Sequence, residues 1–273
     1  NSISIDHRAA KKGLRRIDCD GISEEAGVIA LLLREALNSP EKRAALVTPD
    51  RALARQVRAH LARWDIPIDD SAGDPVERSL GGSFLRLVLA FAADPGPINL
   101  LALLKHPLAA AGLNPAALRQ LARRLDRHDS HEGQALRGPR PEASIDGLEK
   151  AVADAGVDEA DLSQMKMIFG LLRPLETKLQ SPSLAIGDLL SCHLEAAQNL
   201  AQSHDQNGAD RLWRGEAGEH LAHYLAKARA GIDCLGPTKG KDYPAFFHAL
   251  ITDQMVRPRY GMHPRLAILG PME

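Results

Sequence analysis

Two runs of basic residues are the parts of this sequence best equipped for chemistry. Arg119, Arg123, Arg124 and Arg127 recur at helical spacing, on the polar side of a stretch whose Leu118, Leu121 and Leu125 turn the other way. Across residues 115–140 six arginines, including Arg137 and Arg140, meet three carboxylates, a net charge of +3. Sequence-independent affinity for nucleic acid rests on such charges meeting phosphates, although a solvated arginine face has the same pattern. A second stretch, residues 257–265, carries Arg257, Arg259 and Arg265 with Tyr260 and His263 and no acidic residue. Single-strand binders use rings to stack on bases and cations to hold phosphates; a basic structural loop would read alike.

The other reactive residues form no familiar constellation. His220 and His223 are three apart on a helical stretch, without a third His or a Cys at metal-ligand spacing, and read as surface histidines. Asp69 and Asp70 are adjacent in a turn-like segment, so their carboxylates diverge; the expected role is capping of the next helix. Lys105-His106-Pro107 closes a helix, where a cation meets the negative end of the dipole. Cys19, Cys192 and Cys234 are odd in number and lack CxxC spacing, which argues against a disulfide framework or zinc cluster and for a reducing cytosol. There is no GxxxxGK[ST] loop and no local signature of a Ser-His-Asp set.

The elements that must position these residues are mainly helical. Hydrophobic residues make up 44% of the 273 and aromatics only 4%, the apolar share being mostly Leu and Ala, which favours helix over strand. Strands are expected near 16–19, at Ala44–Val47, at Ile66-Pro67-Ile68 (66–69) and at 265–270, the second as an unbroken apolar run that suits a buried parallel strand. Ser23 is the expected N-cap of a helix reaching Leu37, and a second helix follows over 50–63 with Leu53, Val57 and Leu61 on one face. Further helices are expected over 76–92, 97–105, 114–128, 144–153, 158–180, 184–203, 209–230 and 242–254, with a loop at 129–143.

This pattern predicts an α/β, mostly helical fold with three parts. They are a disordered or tag-adjacent lead at 1–14, a partial α/β layer made of 15–75 and 256–273, and a helical insertion at 76–255. The late strand should therefore pair with Ala44–Val47. No apolar run is long enough to span a bilayer. The net charge of −1 confines any polyanion contact to local patches. Beginning at Asn1 and stopping just after an apolar run, the chain reads as an excised piece of a longer protein.

Five blocks in order carry a family resemblance: Ala45-Leu46-Val47-Thr48-Pro49-Asp50-Arg51-Ala52-Leu53-Ala54-Arg55, Arg63-Trp64-Asp65-Ile66-Pro67, Leu100-Leu101-Ala102-Leu103-Leu104-Lys105-His106-Pro107, Leu212-Trp213-Arg214-Gly215-Glu216 and His263-Pro264-Arg265-Leu266-Ala267-Ile268-Leu269. Together they resemble the second RecA-like domain of UvrD-like superfamily 1 helicases, and more narrowly the AddB subunit of the AddAB helicase–nuclease. The resemblance implies a partial RecA-like parallel sheet with a large helical insertion, in a subunit that partners an AddA-type helicase–nuclease and processes broken DNA ends. ATP with Mg and a nuclease metal are then expected in the full-length complex, and no cofactor in this segment.

Active members of that superfamily have a Tyr-Arg pair after the strand matching Ala44–Val47, the arginine reaching the γ-phosphate. The resemblance puts Thr48 and Pro49 in those places, with Arg51 two residues on. It thus implies a segment without ATP chemistry that serves as scaffold and DNA guide. The alternatives are a segment of an active superfamily 1 helicase, or a helical protein-docking module without a DNA role. The candidate DNA-binding residues are Arg119, Arg123, Arg124, Arg127, Arg257, Arg259, Tyr260 and Arg265.

Overall fold

The structure, a computed structural model, describes residues 13–127, 136, 141–257 and 262–272. The chain divides into two compact units, Asn1–Gly73 with Arg257–Glu273 and Asp74–Val256.

The first unit is a three-stranded parallel sheet in the order β1 (Ala44–Val47), β5 (Leu266–Leu269), β2 (Asp69–Asp70), with α1 (Ile22–Ala36) and α2 (Arg51–Ala62) packed on it. Ala44 to Val47 stand opposite Leu266 to Leu269 in register, so the late apolar run does pair with the early one. Ala26, Ala30 and Ala54 are fully buried where α1 meets α2, and these small side chains let the helices approach closely. Leu53, Val57 and Leu61 of α2 then close over Leu266 and Ile268.

Several local expectations are corrected in this unit. β1 is half-buried on one face, at Ala44 and Leu46, and exposed on the other, at Ala45 and Val47, Val47 to 60%, because α1 and α2 cover only the inward side of the sheet. Residues 16–19 form no strand; Ile17 is exposed and Arg16 turns to Asp18 at 2.8 Å, so the segment has no apolar face to bury. Ser23 lies inside the first turn of α1 rather than capping it. Glu24 instead accepts at 2.7 Å from the N–H of Asp20, the residue before the N-cap Gly21. The third strand begins at Asp69, after Pro67, which has no N–H to give a ladder.

The second unit is helical: α3 (Leu80–Ala93), α4 (Pro97–Leu104), α5 (Pro115–Arg127), α6 (Ile145–Asp154), α7 (Glu159–Leu179), α8 (Ile186–Ala201), α9 (Gly208–Leu212), α10 (Gly215–Ile232) and α11 (Tyr243–Thr252). A short antiparallel pair, β3 (Asp74–Pro75) with β4 (Met255–Val256), joins its two ends. Phe84, Phe91, Phe169, Phe247 and Tyr243 are its largest fully buried side chains. Two helices expected to be continuous are broken. The 76–92 run is a 3-10 turn at Val76–Arg78 followed by α3, because Ser79 turns extended and caps Gly82 N–H through its hydroxyl at 3.1 Å. The 209–230 run breaks at Trp213-Arg214, where Gly215 takes a φ of +76° and a side chain on Gly218 would strike the Trp213 backbone. Among the described residues, no helix is long and apolar enough to cross a membrane.

Candidate functional site

Parallel sheets present ligands at the carboxyl ends of their strands. In the first unit that end holds Thr48, Pro49, Asp50, Arg51 and Asp70. Thr48 extends the ladder by donating its N–H to Leu269 at 3.1 Å, and its buried hydroxyl accepts from the Asp50 N–H at 3.0 Å. The Asp50 carboxylate caps α2, accepting from Ala52 and Leu53 N–H at 2.7 and 3.1 Å. Pro49 is exposed and offers no donor.

Arg51 on the first turn of α2 donates to Asp70, and Arg58, two turns later on the same face, approaches the same carboxylate oxygen at 3.9 Å. The Ala72 N–H donates to its other oxygen at 3.2 Å. The Asp70 side chain is only 4% exposed, so this is a nearly closed ion cluster in which a buried carboxylate is matched by two guanidiniums. Asp70 does open a turn, its carbonyl accepting from the Gly73 N–H at 2.9 Å, but its carboxylate binds two arginines rather than capping the next helix. Moving Arg51 onto a ligand phosphate would leave the buried Asp70 carboxylate with only the more distant Arg58, so the cluster opposes that use of Arg51. The Ser71 hydroxyl, buried beside it in sequence, has no hydrogen-bond partner among the described residues.

The basic residues of the second unit divide by partner. Arg124 makes a bidentate pair with Asp161, both contacts at 2.6 Å, and that bond raises the guanidinium pKa. Asp161 is 7% exposed, so Arg124 bolts α5 to α7. Arg119 and Arg123, on the same polar face, have no side-chain partner among the described residues; Arg123 is exposed and Arg119 half-buried. The Arg127 side chain lies outside the described residues.

Two arginines escaped the sequence reading. Arg211 donates to the Ala201 and Pro107 carbonyls, the second at 3.4 Å, and Arg214 is exposed and donates to Gln206 at 2.9 Å. Burial lowers the Arg211 pKa; Asp205 works against this, and the nearby charges of Arg214 and Arg119 add to the lowering. Arg211 thus feels the charges of Arg214 and Arg119 as well as that of the Asp205 carboxylate. Their signal in the sequence was the Arg-Leu-Trp-Arg spacing, three apart at the helix break.

In the 257–265 stretch Arg257 is exposed, while Arg259 and Tyr260 lie outside the described residues. Arg265 is committed to structure: its guanidinium donates to the carbonyls of Ser39, Pro40, Leu37 and Lys42 at 2.6, 2.9, 3.3 and 3.4 Å, satisfying the acceptors just beyond α1.

Two histidines sit in hydrogen-bonded pairs of catalytic appearance. Ser83 Oγ lies 3.2 Å from His106 Nε2, but His106 Nδ1 accepts from the Leu108 N–H at 3.2 Å. Nε2 therefore carries the proton and donates to the serine, the wrong way round for a base. Ser83 in turn donates to the Ser79 carbonyl at 2.8 Å. His193, fully buried, donates from Nε2 to the Leu85 carbonyl at 2.9 Å and accepts from the Tyr243 hydroxyl at Nδ1, 3.1 Å away. Burial lowers the pKa of both histidines to about 4 and raises that of the Tyr243 phenol. Both are neutral, satisfied core groups. Among the described residues no cluster of His, Cys, Asp or Glu could hold a metal ion.

No protein-family model matches this sequence, and no curated protein matches it either.

Proposed function

We propose that this chain is a non-catalytic, helicase-like segment of an AddB-type helicase–nuclease subunit, serving DNA double-strand break repair as scaffold and DNA guide. On this reading the small parallel sheet is a partial RecA-like layer, the helical unit is inserted into it, and an AddA-type subunit is the partner. The observation that supports the DNA-guiding role is that Arg119 and Arg123, on the polar face of α5, have no carboxylate partner among the described residues, with Arg214 exposed and its charge felt, like that of Arg119, at Arg211. Cations without carboxylate partners are free to release counterions from a phosphate backbone. The Arg51–Asp70–Arg58 cluster supports the non-catalytic half, because the arginine nearest the strand end is already spent on a buried carboxylate.

The test is fluorescence anisotropy of a labelled single-stranded oligonucleotide against salt, with the triple variant R119Q/R123Q/R214Q. Its affinity should fall for every sequence alike, and each lost contact should remove roughly 0.7 from the log–log salt slope. An unchanged slope would leave these arginines as a solvated face and favour the docking-module reading.

A further inference from the structure

A cleft of about 600 Å³ opens in the helical unit where α3 and α7 end and α11 begins. That size is in the range of small-ligand sites. Its wall is apolar, with Pro95, Pro182 and Pro244 beside Ala92 and Leu179. Prolines present flat CH surfaces and no N–H, so this wall suits a planar ring rather than a peptide backbone.

Its polar side chains are the charged Lys239, Lys241 and Glu176 and the neutral Gln180 and Ser181. Lys239 and Lys241 line it, are exposed, and are paired with no carboxylate among the described residues. Their backbone is fixed in place. Thr238 and Leu184 exchange N–H···O bonds at 2.9 Å in both directions, and the Gly240 N–H donates to Ser181 at 2.9 Å. A side chain on Gly240 would come within 2.3 Å of the Lys178 carbonyl oxygen, so glycine between the lysines is what lets this segment lie on the end of α7. Opposite in charge, Glu176 also lines the cleft and is 7% exposed. Its Oε1 accepts from the Ile145 N–H at 2.8 Å, which leaves Oε2 with acceptor capacity.

We propose that this cleft takes one deoxynucleotide of a DNA strand, its base against the apolar wall, its phosphate on Lys239 and Lys241, and an exocyclic amine of the base on Glu176. The combination of an apolar wall, two cations and one carboxylate matches a molecule that is at once planar, anionic and amine-bearing. The inference rests on the DNA-guiding reading for the strand, and on the cleft alone for the nucleotide.

The experiment is calorimetric titration of the full chain with dAMP, dCMP, dGMP, dTMP and inorganic phosphate, beside oligonucleotide anisotropy. The three amine-bearing nucleotides should bind with dissociation constants of roughly 10 µM to 1 mM, tighter than dTMP by about tenfold and tighter than phosphate. K239E/K241E should weaken them by about tenfold or more. Glu176→Gln keeps the acceptor for Ile145 and turns the second oxygen into a donor, so the preference over dTMP should vanish or invert while folding is retained. Mononucleotides that fail to bind, or that bind K239E/K241E as well as the parent, overturn the site; phosphate binding as tightly as the nucleotides overturns the base contact. Mononucleotide binding without oligonucleotide binding would keep the cleft and sink the DNA-guiding reading. Oligonucleotide binding that depends on Arg119 and Arg123 but not on the lysines, with mononucleotides silent, would do the reverse.

Discussion

His193 couples the stability of the helical unit to pH. Its ring is fully buried and neutral, with its proton on Nε2 for Leu85 and its free pair on Nδ1 for Tyr243. Burial lowers its pKa from 6.5 to about 4. The unfolded chain therefore takes up a proton first as pH falls, and stability drops through the window between 6.5 and about 4 and is flat below it. From that gap, about 2 kcal/mol should be lost between roughly pH 7 and pH 5, and about 3 kcal/mol at the acid plateau. The assay is urea unfolding followed by Trp213 fluorescence in a Trp64→Phe background, so that the helical unit alone reports. His106 shares the window, which a difference experiment removes: the parent's loss minus that of His193→Gln, whose amide can both donate to Leu85 and accept from Tyr243. That difference should be about 2 kcal/mol. A difference below about 0.5 kcal/mol would show that His193 is protonated in the folded unit or that the ring is wet.

Replacing Asp70 by Ala should destabilise the sheet-bearing unit by about 2–3 kcal/mol in urea titrations read at Trp64, against about 1 kcal/mol for Arg51→Ala, because Arg51 is part-exposed and the carboxylate is not. Gly170→Ala, in mid-helix with open space around its Cα, should stabilise the helical unit by roughly 0.5–1 kcal/mol in thermal unfolding. Gly82→Ala, where a Cβ would sit 2.1 Å from the Val76 carbonyl oxygen, should cost about 2 kcal/mol or more in the same assay. Arg51→Ala should leave the calorimetric isotherm of ATP, titrated to about 1 mM, unchanged, and any saturable heat should be lost in K239E/K241E; a saturable isotherm abolished by Arg51→Ala would place a live phosphate contact at the strand end.

Much of the framework was legible because it depends on local pattern. The apolar tetrads Ala44–Val47 and Leu266–Leu269 announced strands, and the lack of an intervening strand pattern announced helices, so their pairing across the chain followed from layer rules. The α2 face was legible for the same reason: Leu53, Val57 and Leu61 recur at four, and all three are buried. What failed were features decided by a neighbour. An apolar tetrad predicts two buried faces, yet Val47 is exposed because helices bury only one side of the sheet. The helix break at Ser79 depended on a close approach of Gly82 to Val76, which composition does not record.

The arginines show the same limit more sharply, since charge pattern along a helix says nothing about what lies across from it. Arg119, Arg123 and Arg124 look equivalent in sequence, but only Arg124 meets a buried carboxylate, and that partner is 37 residues away. Arg51 finds Asp70 across 19 residues, and Arg265 finds the end of α1 across more than 220. Each of these long-range bonds removes a cation from the set available to a phosphate. A DNA guide is thus better identified by the cations that folding leaves unpaired than by the number of cations in a run. On that criterion the candidate set narrows in the second unit to Arg119 and Arg123 on α5 and gains Arg214. The triple variant R119Q/R123Q/R214Q should therefore lose most of the salt dependence of binding, while Arg124→Gln should lower the unfolding midpoint and leave the slope of the folded protein almost untouched.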